Sequence, residues 1–145
     1  MMLLAGDIGG TKSHLAVFAD GGSPRAPLRE EVLQSDCFSG IEDLVREFLK
    51  RNDISADRTC LAIAGPVISG RAAVTNLPWI ADAETIRRTF GFQSVRLLND
   101  LAATARAVPL LKPAELHTLS PGEPAAGGAI AVIAAGTGLG EAFLT

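Results

Sequence analysis

A glycine-rich break, Gly6-Asp7-Ile8-Gly9-Gly10-Thr11, interrupts the head of the chain between two apolar runs. The first run is Met1–Ala5, and the second carries Leu15 and Val17 and ends at Asp20. Two strands around a glycine turn fit this pattern. Loop chemistry over Gly21-Gly22-Ser23-Pro24-Arg25-Ala26-Pro27 then leads to a weaker third strand over Glu30–Cys37, so the opening reads as an antiparallel meander.

Ser39 and Glu42 have the spacing of a capping box, and Ile41, Leu44, Val45, Phe48 and Leu49 follow at helical spacing, which predicts a helix to Arg51. Its polar face pairs Glu42 with Arg46 and Glu47 with Arg51. The run Thr59–Ala64 lacks polar alternation, as a strand buried on both faces of a parallel sheet does. Arg71–Thr75 is the next strand. A helix capped by Asp82 and stopped by Gly91 comes after it, then a strand over Ser94–Leu98 and a helix over Asp100–Ala107 ended by Val108-Pro109. The order is β-β-β-α-β-β-α-β-α. After Leu110 comes a linker rich in Ser, Pro and Gly, then a strand over Ala129–Ala135, the loop Gly136-Thr137-Gly138-Leu139-Gly140 and the start of another strand at Ala142. That hairpin copies the first one. The reading is one small domain over 1–110 and the opening strands of a second, truncated domain over 111–145.

With 13 Lys and Arg against 16 Asp and Glu the net charge is −3, which removes nucleic acid as the default partner. No run approaches the ~18 apolar residues of a membrane span, and Met1–Asp7 is no signal peptide. The two cysteines, Cys37 and Cys60, form no disulfide framework and are read as packing residues. A soluble protein of the reducing cytoplasm is expected.

Three motifs can carry chemistry. Backbone N–H groups of the Gly9-Gly10-Thr11 turn can converge on an anion without Cβ obstruction. A carboxylate there repels phosphate unless Mg²⁺ lies between, so Asp7 suggests a metal-nucleotide ligand, directly or through water. The alternative is a plain hairpin whose glycines supply positive φ. Gly136-Thr137-Gly138 comes after a strand and offers a second set of donors, and again a plain turn is the alternative. Neither loop has the Walker or dinucleotide pattern. Asn99 and Asp100 stand where a strand passes into a helix, the place where open α/β sheets hold ligands. Asp100 can take the proton of a substrate hydroxyl and Asn99 can orient a neighbouring one, or either can simply cap the helix. Trp79, beside Thr75 and Asn76, can face a sugar or anchor its loop. His14 and His117 are isolated, which disfavours zinc.

Gly6-Asp7-Ile8-Gly9-Gly10-Thr11, Ala64-Gly65-Pro66, Thr75-Asn76-Leu77-Pro78-Trp79, Leu98-Asn99-Asp100-Leu101 with Ala107-Val108-Pro109, and Gly136-Thr137-Gly138-Leu139-Gly140 occur in one order. In that order and spacing the chain resembles the amino-terminal portion of the bacterial glucokinases, ATP-dependent hexose kinases of the actin/hexokinase/Hsp70 superfamily. The resemblance implies an α/β fold with a ribonuclease-H-like small domain on a mixed five-stranded sheet. It implies ATP and Mg²⁺, with Gly6, Asp7, Ile8, Gly9, Gly10 and Thr11 as the first phosphate loop and Gly136, Thr137 and Gly138 as the second. Asp100 matches the catalytic base and, with Asn99, the glucose ligands. The implied reaction is phosphorylation of glucose at its 6-hydroxyl, the first step of glycolysis, in a protein compatible with a homodimer. The remaining glucose and adenine residues of the family lie beyond Thr145, so these 145 residues alone are expected to turn over little. The competing reading is a non-catalytic nucleotide- or sugar-binding module. A dehydrogenase domain fails on the loop pattern and the antiparallel opening.

Overall fold

Alternation decides the first sheet. In β2 (Lys12–Ala19), Ser13, Leu15 and Val17 are buried while Lys12 and His14 point to the opposite face, the period-two pattern of a strand with one face on a core. β1 (Met2–Ile8) buries Leu4 and Ile8, β3 (Arg29–Gln34) buries Leu33, and β4 (Arg58–Ile63) buries Thr59, Leu61 and Ile63. The computed structural model describes residues 1–123, 125–135 and 139–144.

The five-stranded sheet runs β3-β2-β1-β4-β7, with β7 spanning Ser94–Asn99. β3, β2 and β1 are antiparallel, whereas β1, β4 and β7 are parallel. The expected mixed sheet and opening meander are therefore present, but β1 runs on to Ile8 rather than stopping at Ala5. Gly6 lies inside that strand: a Cβ there would meet Leu15 Cδ2 at 2.6 Å and Leu61 Cδ2 at 2.8 Å. Glycine at this position lets neighbouring core side chains fill the space above the backbone.

α1 (Ile41–Arg51) contributes Ile41, Leu44, Val45 and Phe48 to the hydrophobic core formed with the buried sheet residues. The capping box expected from Ser39 and Glu42 is displaced by one residue. Gly40 is the N-cap and makes no side-chain cap bond, and the acid that reaches back is Asp43, whose Oδ2 accepts from Ser39 N and Oγ at 3.2 Å each. Of the two expected ion pairs, Arg51 meets Glu47 at 2.8 Å, while Arg46 lies 3.9 Å from Asp43, a turn earlier.

β5 (Arg71–Ala73) pairs with a strand that periodicity missed, β6 (Ile80–Asp82), too short to show a pattern of its own. Trp79, just before β6, is 4% exposed, which favours the anchor over the sugar platform. α2 (Ala83–Phe90) is capped as expected, Asp82 Oδ1 accepting from Thr85 N at 2.8 Å and Gly91 closing it at φ 69°. α3 (Asp100–Ala107) succeeds β7 with no intervening loop. Cys37 is exposed, against its expected role in packing, because it ends a short 3-10 turn outside the sheet. β4 is fully buried on one face only. Cys60 and Ala62, on the other, are half-exposed.

The chain divides into two compact units, Met1–Asp100 and Leu101–Thr145. In the second, β8 (Ile130–Ala135) and β9 (Leu139–Leu144) form an antiparallel hairpin, and a Cβ on Gly140 would meet Leu101 Cδ2 at 3.0 Å. No helix among the described residues is long and apolar enough to cross a membrane.

Phe48 is fully buried at the centre of the core. Phe48→Ala is expected to cost about 3–5 kcal/mol, read as a lowered urea midpoint with little change in the slope; a loss below about 1 kcal/mol would contradict its central place.

Candidate functional site

The parallel strands end together. Ile8, Ile63 and Asn99 are paired across β1, β4 and β7, so the segments leaving the three strands emerge at one sheet edge. After β1 comes the Gly9-Gly10-Thr11 turn, after β4 Ala64-Gly65, and after β7 Asp100.

The turn is fixed from below. Gly9 N donates to Lys12 O at 3.1 Å. Ser35, fully buried, holds both sides, its Oγ donating to Gly9 O at 2.8 Å and its N–H to Thr11 O at 2.9 Å. Since the Ser35 proton goes to Gly9, the 2.9 Å contact with Ser13 Oγ is a bond donated by Ser13. With both carbonyls committed, the N–H groups of Gly10 and Thr11 have no acceptor among the described residues. That is the donor set of an anion cradle. Gly10 must be glycine for a second reason: a Cβ would lie 2.5 Å from Thr75 O. Ile8 adds no side chain here, being fully buried.

Across the edge, Asn99 Nδ2 donates to Gly65 O at 3.0 Å and to Asp100 Oδ1 at 2.8 Å. The amide therefore holds the carboxylate and ties β7 to the end of β4. Thr75 closes the cluster, Oγ1 and N–H both donating to Ala64 O, at 2.6 and 2.8 Å.

Asp7, one residue before the end of β1, lies opposite His14. Partial desolvation raises its carboxyl above the ordinary 3.8, the charge of Asp100 raises it further, and His14 offsets part of this. Asp7 and Asp100 thus feel one another. His14 in turn meets Glu30 at 2.7 Å on the exposed face. Two carboxylates beside unpaired N–H donors fit a phosphate bridged by a divalent cation. Among the described residues no group of three or more His, Cys, Asp or Glu could hold a metal alone, but magnesium is normally held by one or two carboxylates together with substrate phosphates.

The structure brings together Asp7, Gly9, Gly10, Thr11, Asn99 and Asp100. Gly6 and Ile8 lie within β1 and serve packing, and Gly136, Thr137 and Gly138 lie outside the described residues. Ser35 was missed from the sequence because a lone serine after a polar strand carries no motif.

A family model described as Glucokinase matches residues 4–145. The chain is 38% identical over 145 residues to a glucokinase of Nostoc punctiforme, covering 99% of this chain and 42% of that protein. It is 36% identical over 148 residues to one of Salmonella arizonae, covering 97% and 43%. The crystal structure of a glucokinase from an Antarctic psychrotroph superposes with TM-score 0.84 at 30% identity, over 99% of this chain and 46% of that one. A ROK family glucokinase of Streptomyces griseus, solved with glucose and AMPPNP, shares the fold at TM-score 0.69 and 21% identity, over 99% of this chain and 44% of that one. The chain spans 42–43% of the length of these curated relatives.

Ser35→Ala would leave Gly9 O and Ser13 Oγ unpaired, at a cost of about 1–3 kcal/mol; denaturation that matches the parent protein would refute the clamp. Because the folded Asp7 carboxyl is raised above 3.8, its ionisation penalises the folded state. The penalty is absent below the unfolded value, grows as pH rises between the two values, and is constant above both. Asp7→Asn is therefore expected to melt at a higher temperature than the parent at pH 7, with the gap closing by pH 3, as followed by circular dichroism.

Proposed function

This chain belongs to the glucokinase family, and from that premise we propose that the polypeptide in which these residues work transfers the γ-phosphoryl group of ATP to the 6-hydroxyl of glucose. The observation that carries the reading is the gathering at one sheet edge of the Gly10 and Thr11 donors, Asp7, and the Asn99–Asp100 pair. Residues 1–110 are read as the ribonuclease-H-like small domain and 111–145 as the start of the larger one, with Gly136, Thr137 and Gly138 as its phosphate loop.

In this reading the Gly9–Thr11 turn cradles the nucleotide phosphates through the Gly10 and Thr11 N–H groups, and the Ser35 clamp holds the turn in place. Asp7 holds the nucleotide's Mg²⁺, directly or through water, and the ion when bound supplies charge neutralisation for the phosphates. Asn99 orients a glucose hydroxyl and fixes the carboxylate beside it. Asp100 accepts the proton of the 6-hydroxyl as its oxygen bonds to the γ-phosphorus and the bond to the departing ADP breaks. Little more is required of the protein, because the transition state is loose and catalysis rests on positioning and electrostatics. The cytoplasm is the proposed setting.

In a polypeptide of the relatives' length, Asp100→Asn is expected to lower kcat by about 10²–10⁴-fold with KM for ATP little changed, measured by coupled ADP release. Near-normal turnover would remove Asp100 from the role of base. The 145-residue chain alone is expected to give almost none, and robust glucose-dependent ADP formation from it would overturn that.

A further inference from the structure

Asn76 stands at φ 65°, in the left-handed region, within a turn closed by Leu77 N to Val74 O at 3.2 Å and Val74 N to Trp79 O at 3.0 Å. Asparagine tolerates this region when its side chain bonds locally. Here the side chain is exposed and makes no hydrogen bond among the described residues. The backbone turn holds the conformation, and the carboxamide is left over.

Its surroundings say what it is left over for. A Cβ on Gly10 would lie 3.2 Å from Asn76 Cβ and 2.5 Å from Thr75 O, so the turn abuts the glycine loop with no room for a side chain between. On the other side Thr75 is pinned to Ala64 O by two hydrogen bonds, and the next carbonyl, Gly65 O, accepts from Asn99. Asn76 is thus held against the anion cradle, in a turn that Thr75 ties to the end of β4.

Resting on the phosphoryl-transfer reading above, we propose that the Asn76 carboxamide donates a hydrogen bond to a terminal phosphoryl oxygen of the nucleotide held by Gly9–Thr11. Asn76 is a direct ligand of the group being transferred, a third donor beside the Gly10 and Thr11 N–H groups. An uncharged amide suits this place, where Asp7 and Asp100 already supply negative charge.

The test is an NMR titration of the ¹⁵N-labelled 145-residue chain with Mg²⁺ and AMPPNP, and separately with glucose. The Asn76 side-chain resonances are expected to move together with the Gly10 and Thr11 amides on adding nucleotide, and to stay put with glucose alone. Asn76→Gly keeps the left-handed backbone at no steric cost, so it should melt like the parent while binding nucleotide about tenfold more weakly, the scale of one charge-assisted bond. Asn76→Asp, equally tolerant of the turn, should weaken nucleotide binding further by repulsion. If Gly10 and Thr11 respond but Asn76 does not, and Asn76→Gly binds normally, this inference fails while the phosphoryl-transfer reading stands. A response of Asn76 to glucose alone also overturns it. Silence of the loop amides as well as Asn76 removes the anion cradle from this chain and the inference with it.

Discussion

The parallel pairing of β1, β4 and β7 is the constraint on which the rest depends. Parallel strands must end on the same side, and because Ile8, Ile63 and Asn99 share a level, segments far apart in sequence emerge within reach of one another. Neighbouring strands lie about 4.8 Å apart, so the ends of β1 and β7, on either side of β4, lie about 10 Å from one another. The apolar face beneath fixes the register. A slip of one residue would send Leu4, Ile8, Leu61 and Ile63 outward and carry Asp7 and Asn99 to the wrong faces.

Hydrogen bonding then turns that edge into a cluster. Ser35 engages both carbonyls flanking Gly10, which fixes the turn that carries the Gly10 and Thr11 N–H donors. Asn99 performs the matching task across the sheet, using one amide nitrogen to hold Gly65 O and Asp100 Oδ1. The mutual influence of Asp7 and Asp100 results from the register that brings their strand ends together.

Much of this was legible in the sequence, since periodicity and punctuation are local. The glycine break announced the hairpin, Asp82 and Gly91 marked both ends of α2, and Asn99-Asp100 at a strand-to-helix junction marked the edge. The features that escaped depend on distant partners. β6 exists through its pairing with β5, the helix cap moved one residue because Asp43 rather than Glu42 reaches Ser39, and the grip of Ser35 on Gly9 spans 26 positions. Gly6 looked like part of the loop from its neighbours, yet it serves the packing of Leu15 and Leu61. Glycine is equally suited to both uses, so composition could not separate them.

Trp79 is the sole tryptophan of a chain without tyrosine. It is 4% exposed, and its carbonyl accepts the bond that closes the turn bearing Asn76. With one tryptophan and no tyrosine, indole emission from the molecule comes from a single residue. It sits behind the segment that abuts the glycine loop. An unlabelled sample therefore carries its own optical reporter on the packing of that segment.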